Sequence, residues 1–186
     1  MKETSIVVAR LTETNGIGNK ESIPWKLKDD MKYFAKITQE VKQQGKQNAV
    51  IMGRKTWFSI PEKFRPLKNR CNIILSKNLK AGSIDTNVFV ESSLEDAFIR
   101  MDETEDIEQV FIIGGSEIYS EALKWDRCKK LYITEISGNI ECDAFFPEFD
   151  ISDFELNVGY VFENNNNRTE GNIDYAFCLY ERRKTE

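Results

Sequence analysis

Five short apolar runs, each of strand length, recur along the chain between helical patterns and polar turns: residues 5–11 (SIVVARL), 48–52 (NAVIM), 71–75 (CNIIL), 109–113 (QVFII) and 131–136 (LYITEI). Runs so continuously apolar suit strands buried on both faces, which calls for helices above and below the sheet and parallel pairing through crossovers. Three of them end in related chemistry. The second runs into Gly53, Arg54, Lys55 and Thr56, the third into Ser76 and Lys77, and the fourth into Gly114, Gly115, Ser116 and Glu117. Backbone N–H groups, hydroxyls and cations at the carboxyl ends of parallel strands make anion sites, where open α/β sheets bind ligands. None matches the phosphate-loop or dinucleotide spacing, so a basic helix start and a glycine turn remain open readings of each taken singly.

The stretch 23–38 (IPWKLKDDMKYFAKIT) reads as a helix after Pro24, with Leu27, Met31, Phe34 and Ile37 on one apolar side. Asp30 falls within that side, three residues after Leu27 and four before Phe34. A carboxylate among apolar neighbours is held toward its neutral form and can donate a proton near neutral pH. A solvated carboxylate in the first helical turn is the alternative.

Composition narrows the chemistry. There is no histidine, which removes Ser-His-Asp and Cys-His mechanisms and leaves carboxylates, Tyr, Lys or a bound cofactor. Cys71, Cys128, Cys142 and Cys178 form no CxxC pair, so reduced thiols are expected and no metal site. A net charge of −5, with basic residues dispersed except at Arg182, Arg183 and Lys184, argues against nucleic acid as the main partner. The first residues carry too short an apolar run for a secretory signal, and no stretch of eighteen apolar residues follows; a cytoplasmic protein without a membrane partner is expected.

Further along, residues 88–90 suit a short strand, and Ser92 with Glu95 has the spacing of a capping box opening a helix whose Leu94, Ala97, Phe98 and Met101 share a face. Residues 154–162 and 175–182 read as an antiparallel pair joined by the polar loop ENNNNRTEGN, with no helix between. The Asn167-Arg168-Thr169 sequon is given no role. The fold class is therefore α/β: one domain over residues 1–186, a mostly parallel eight-stranded sheet with an antiparallel carboxyl-terminal edge, and helices on both faces.

These motifs together resemble the dihydrofolate reductase family in its longer, monofunctional eukaryotic form, over nearly the whole chain. The matching runs are Gly16-Ile17-Gly18 with Ile23-Pro24-Trp25, Asp30 with Tyr33-Phe34, VIMGRKTWFSIPEKFRPLKNR, NIILSK, FIIGGSEIY and FFPEFD. The resemblance implies reduction of 7,8-dihydrofolate to tetrahydrofolate by NADPH, with hydride to C6 and a proton to N5, supplying thymidylate and purine synthesis. It implies a monomer that also takes folate and antifolates, and no fused thymidylate synthase is expected after the last strand. Asp30 would be the acid and pterin anchor, Thr134 its supporting hydroxyl, and Trp25 the indole near an ordered water. Arg70 would grip the substrate's α-carboxylate with its planar fork. The apolar wall would come from Val7, Val8, Ala9, Ile23, Met31, Phe34, Ile60, Leu67 and Ile113.

For the cofactor, the resemblance implies Ala9, Ile17, Gly18 and Ser22; Gly53, Arg54, Lys55 and Thr56; Leu75, Ser76, Lys77, Asn78 and Ser92; and Ile113, Gly114, Gly115, Ser116, Glu117, Ile118 and Tyr119. Arg54, Ser76 and Lys77 would surround the 2′-phosphate, and Gly114-Gly115 would be joined by a cis peptide. The chain departs from the family pattern at Asp30, where Glu is commoner, at Met31, where an aromatic is frequent, at Lys26, in place of a proline pair, and at Ser92, in place of a frequent arginine. Two rivals stay open: a same-fold reductase of a ribosylamino-pyrimidine, not expected to combine Asp30 with Arg70, and a non-catalytic nucleotide-binding module.

Overall fold

In the computed structural model, which describes residues 1–163 and 167–184 and gives only the backbone of residue 162, the strands follow the apolar runs closely. In chain order β1 (Thr4–Leu11) and β2 (Gly16–Gly18) precede helix α1 (Lys28–Gln39); β3 (Gln47–Gly53) leads directly into α2 (Arg54–Ser59). A 3-10 turn at Glu62–Phe64 precedes β4 (Arg70–Leu75), β5 (Gly82–Asp85), β6 (Val88–Glu91) and α3 (Leu94–Glu103). Then come β7 (Ile107–Ile112), α4 (Ser116–Ala122), β8 (Cys128–Ser137), β9 (Ala144–Phe145), β10 (Phe154–Leu156), α5 (Val158–Glu163), β11 (Arg168–Glu170) and β12 (Ile173–Arg182).

The main sheet runs β10-β12-β8-β1-β7-β3-β4-β6-β5, with β11 also paired to β12. From β8 to β6 every pairing is parallel; β12, β10, β11 and β5 are antiparallel. Strand β7, late in the chain, inserts between β1 and β3 and hydrogen-bonds both, so the strand order reverses there. Side-chain alternation assigns the faces. Ile6, Ile51 and Ile73 pack with Leu94, Ala97, Phe98 and Met101 of α3 and Tyr119 of α4, while Val7, Val50, Met52 and Phe111 point the other way toward Phe34 and Ile37 of α1 and Trp57 of α2.

The structure corrects four local expectations. The main sheet has ten strands rather than eight: β5 and β11 are short, and their polar, exposed residues give no apolar run to detect. The expected strand 154–162 stops at Leu156, and α5 follows, because Asn157 Oδ1 accepts from Tyr160 N at 2.9 Å and caps a turn of otherwise strand-favouring residues. The loop after β1 is partly ordered as β2, paired with β9. The cap of α3 is Ser93, whose Oγ accepts from Asp96 N at 3.0 Å; Ser92 and Ser93 both donate to Asp96 Oδ2. Of the polar loop expected after β10, residues 164–166 lie outside the described residues, as do 185–186. Among the described residues no helix is long and apolar enough to cross a membrane.

Phe98 joins α3 to the sheet's far end: its ring meets Trp125 edge-on at 5.3 Å and carries the Arg127 guanidinium at 4.0 Å. Phe98→Ala is expected to lower unfolding free energy by about 3–5 kcal/mol, read by denaturant titration with Trp125 fluorescence as the probe.

Candidate functional site

At the carboxyl ends of β1, β7 and β3, where the sheet order reverses, backbone and side chains meet over a cleft. Helix α1 crosses one wall. Leu27 stands at its N-cap with no capping side chain, and Asp30, in the first turn, is half-buried against β8. Thr134 Oγ1 donates to Asp30 Oδ1 at 2.6 Å. Thr134 sits in β8 opposite Ala9 of β1 and Phe177 of β12, so its hydroxyl is held by pairing on both sides. The ion pairs of this turn go to Asp29 instead, with Lys32 at 3.1 Å and Arg168 at 3.2 Å. Burial therefore raises the Asp30 pKa, and only the Thr134 hydroxyl opposes the shift.

A groove of about 220 Å³ opens beside this carboxylate, lined by Ile23, Trp25, Lys26, Leu27, Asp30 and Met31. Trp25 is buried, and among the described residues its indole Nε1 has no partner. Ile23 and Met31 are 60% and 58% exposed, so they rim the groove rather than belong to the core stripe expected of Met31. Val7, Phe34, Ile60, Leu67 and Ile113 converge on one apolar cluster with Val50, Met52 and Phe111. Val8 does not join them: strand alternation sends its side chain to the opposite core, leaving only its backbone toward the cleft. Ala9 packs with Trp25 and Leu27.

At the other end of α1, Arg70 is 5% exposed. Its Nη1 donates to Thr38 Oγ1 at 2.8 Å, its Nε to Lys68 O at 2.9 Å, and its guanidinium lies 5.8 Å from the Phe34 ring centroid. Burial brings it down to about 10, still cationic at neutral pH. Asn72 fixes the approach, accepting from Leu67 N and donating to Leu67 O and Arg70 O. Sequence reasoning missed Thr38, Asn72 and Tyr33. Tyr33 stacks on Phe177 at 3.8 Å, and its hydroxyl meets that of Tyr160 at 2.5 Å. Only the helical offset of Thr38 and Tyr33 from Asp30 hinted at them.

At the carboxyl ends of β3 and β7 glycines approach closely. Gly53 N donates to Gly114 O at 2.8 Å, and the Gly114-Gly115 peptide is cis. Gly114 has φ +128, and a Cβ there would stand 3.3 Å from Thr56 Oγ1 and 3.4 Å from the Tyr119 hydroxyl, which donates to Val7 O. Ile118 packs against Gly53, and Ser116 and Glu117 form the first turn of α4. Ser76 is buried with its Oγ accepting from Asn78 N and Leu79 N, while Arg54, Lys55 and Lys77 stand exposed. Leu75 belongs to the core, and Ser92 is engaged with Asp96. Gly18 and Ser22 lie in the β2 loop, where Ser22 Oγ donates to Asn19 O, and Ile17 packs on the main core. A cradle of backbone atoms, in a chain that exposes Arg54 and Lys77 just past β3 and β4, fits a phosphorylated dinucleotide.

Comparison with known proteins agrees. A family model described as dihydrofolate reductase matches residues 3–182. The chain belongs to the dihydrofolate reductase family. It is 42% identical to the dihydrofolate reductase of Aedes albopictus over 98% of both chains. It is 40% identical to that of Heliothis virescens, and 39% identical to that of Mus musculus over 95% of this chain and 96% of the mouse protein. Members of the dihydrofolate reductase family reduce dihydrofolate with a nicotinamide cofactor, and this chain holds both a half-buried acid beside a groove and a phosphate-compatible glycine cradle.

Because the folded protein holds Asp30 above its unfolded pKa, the folded state binds more protons between the two values, and that group's contribution to stability falls as pH rises through that interval. Asp30→Asn keeps an acceptor for Thr134 without the buried charge. It is expected to raise the Tm of the ligand-free protein at neutral pH, with the gain shrinking as pH falls toward about 4, in calorimetry across pH.

Proposed function

We propose that this chain reduces 7,8-dihydrofolate to 5,6,7,8-tetrahydrofolate with NADPH, feeding one-carbon transfer for thymidylate and purine synthesis. The observation that carries the reading is the half-buried Asp30, held by Thr134, free of a cationic partner among the described residues and lining a groove with Trp25 and Leu27, in a chain that also brings Gly53 and Gly114 together at the carboxyl ends of β3 and β7. NADPH, when bound, supplies the hydride received at C6 of the pterin.

Asp30 holds the proton that N5 receives, and its second acceptor oxygen orients the pterin amino group. Burial keeps a larger share of this carboxyl protonated at neutral pH than in an exposed aspartate, so turnover falls as pH rises through its pKa. Thr134 fixes the carboxyl's rotation. Trp25, whose indole N–H points to no protein acceptor among the described residues, suits a water that relays a proton. Val7, Phe34, Ile60, Leu67 and Ile113 form an apolar cluster suited to burying the pterin and benzoyl rings, with the exposed Ile23 and Met31 at the rim of the groove. Arg70, held by Thr38, grips the α-carboxylate.

On the cofactor side, Gly53, Gly114, Gly115, Thr56 and the first turn of α4 receive the pyrophosphate, and Arg54, Ser76 and Lys77 the 2′-phosphate. The exposed positions of Arg54 and Lys77 leave both free to pair with it. Ser92 adds no charge there, so the preference for NADPH over NADH rests on Arg54 and Lys77.

Mixing the protein with NADPH and dihydrofolate is expected to bleach the near-ultraviolet nicotinamide band; no bleaching by folded protein overturns the proposal. Asp30→Asn is expected to lower turnover roughly 10²- to 10⁴-fold at neutral pH and less in acid, where the substrate carries its own proton. Equal losses at both pH values count against the acid role. Arg70→Lys is expected to weaken folate binding about tenfold with NADPH affinity unchanged, by fluorescence titration of each ligand.

A further inference from the structure

Helix α1 carries the proposed acid in a first turn that its own sequence does not cap. Leu27 occupies the N-cap and makes no side-chain bond, so the first N–H groups need an acceptor from elsewhere. The acceptor comes from 142 residues away. Glu170 Oε2, at the end of β11, accepts from Lys28 N at 2.7 Å. Two residues back on the same strand, Arg168 pairs with Asp29 at 3.2 Å and lays its guanidinium 5.0 Å from the Phe177 ring centroid. Phe177 is in turn the cross-strand partner of Thr134 and the ring on which Tyr33 stacks. The two residues flanking Asp30 on its N-terminal side are thus tied to β11, and the residue one turn later to β12.

We propose that Glu170 is a positioning residue for the reaction: by capping α1 from β11 it fixes Asp30 against Thr134. A carboxylate on a helix N-terminal amide is favoured by both the hydrogen bond and the helix dipole, and here it replaces the Ser, Thr, Asp or Asn that a helix usually carries at that place. Without it the first turn frays, and Asp30 samples positions away from the Thr134 hydroxyl and the groove. Functional groups need that kind of support, since a small displacement of a reacting group costs rate without unfolding the protein. The inference rests on the reading of Asp30 as the acid.

In the full-length protein Glu170→Ala is expected to lower kcat for dihydrofolate about fivefold with the NADPH Kd unmoved, and Glu170→Gln, which keeps an acceptor oxygen, to recover most of the loss. Amide exchange at Lys28 is expected to speed up in Glu170→Ala. In an Asp30→Asn background the same Glu170→Ala change is expected to alter turnover by less than about twofold, because the group it positions is gone. An unchanged kcat, unaltered exchange at Lys28, or the same loss with and without Asp30 overturns the positioning role. The two readings separate cleanly: a fully active Asp30→Asn removes the acid assignment and this inference with it, whereas an inactive Asp30→Asn beside a fully active Glu170→Ala removes only the inference.

Discussion

The insertion of β7 between β1 and β3 organises the molecule. Both neighbours are earlier in the chain, and β7 hydrogen-bonds each of them in parallel register, so the crossover helices must leave the sheet in opposite directions around it. The gap that results at the carboxyl ends is lined by backbone rather than by side chains, because Gly53 and Gly114 approach to hydrogen-bond distance there and Thr56 and Tyr119 crowd the place a Cβ would take. Everything proposed for the cofactor follows from that approach.

The facing wall works on a different principle. Asp30 is kept short of full solvation by α1 packing on β8, and the cation pairs that would hold a carboxylate ionised are drawn off to its neighbour Asp29. A protein that buries an acid without a counter-charge loses stability in doing so, and such losses concentrate at functional sites. The tyrosine and phenylalanine contacts around Tyr33, Phe177 and Tyr160, together with the remote cap on α1, are the surrounding order that holds the arrangement in place.

Much of this was legible in the chain. The strands at the centre of the sheet are apolar on both sides and could be placed to within two residues, or three at the start of β8, and the helical spacing put Asp30 on the packed side of α1. Harder to read were elements whose stability comes from partners: β5 and β11 are polar edge strands, β2 exists only because β9 lies beside it, and α5 depends on the Asn157 cap more than on its own strand-favouring residues. Val8 shows the same limit within the site. The family resemblance put it with Val7 on one wall, yet a strand sends adjacent side chains to opposite faces.

By itself the sequence determined what is local and periodic: which runs are buried, which helix face is apolar, which chemistries the absence of histidine removes, and where glycines and cations follow strands. Only the tertiary structure decided which distant groups meet. Thr134 reaches Asp30 across 104 residues, Arg70 reaches Thr38 across 32, and Glu170 reaches Lys28 across 142. Hydrogen bonds act over about 3 Å in space and are indifferent to separation along the chain, so no local pattern can encode such a pairing until the sheet order has placed both partners.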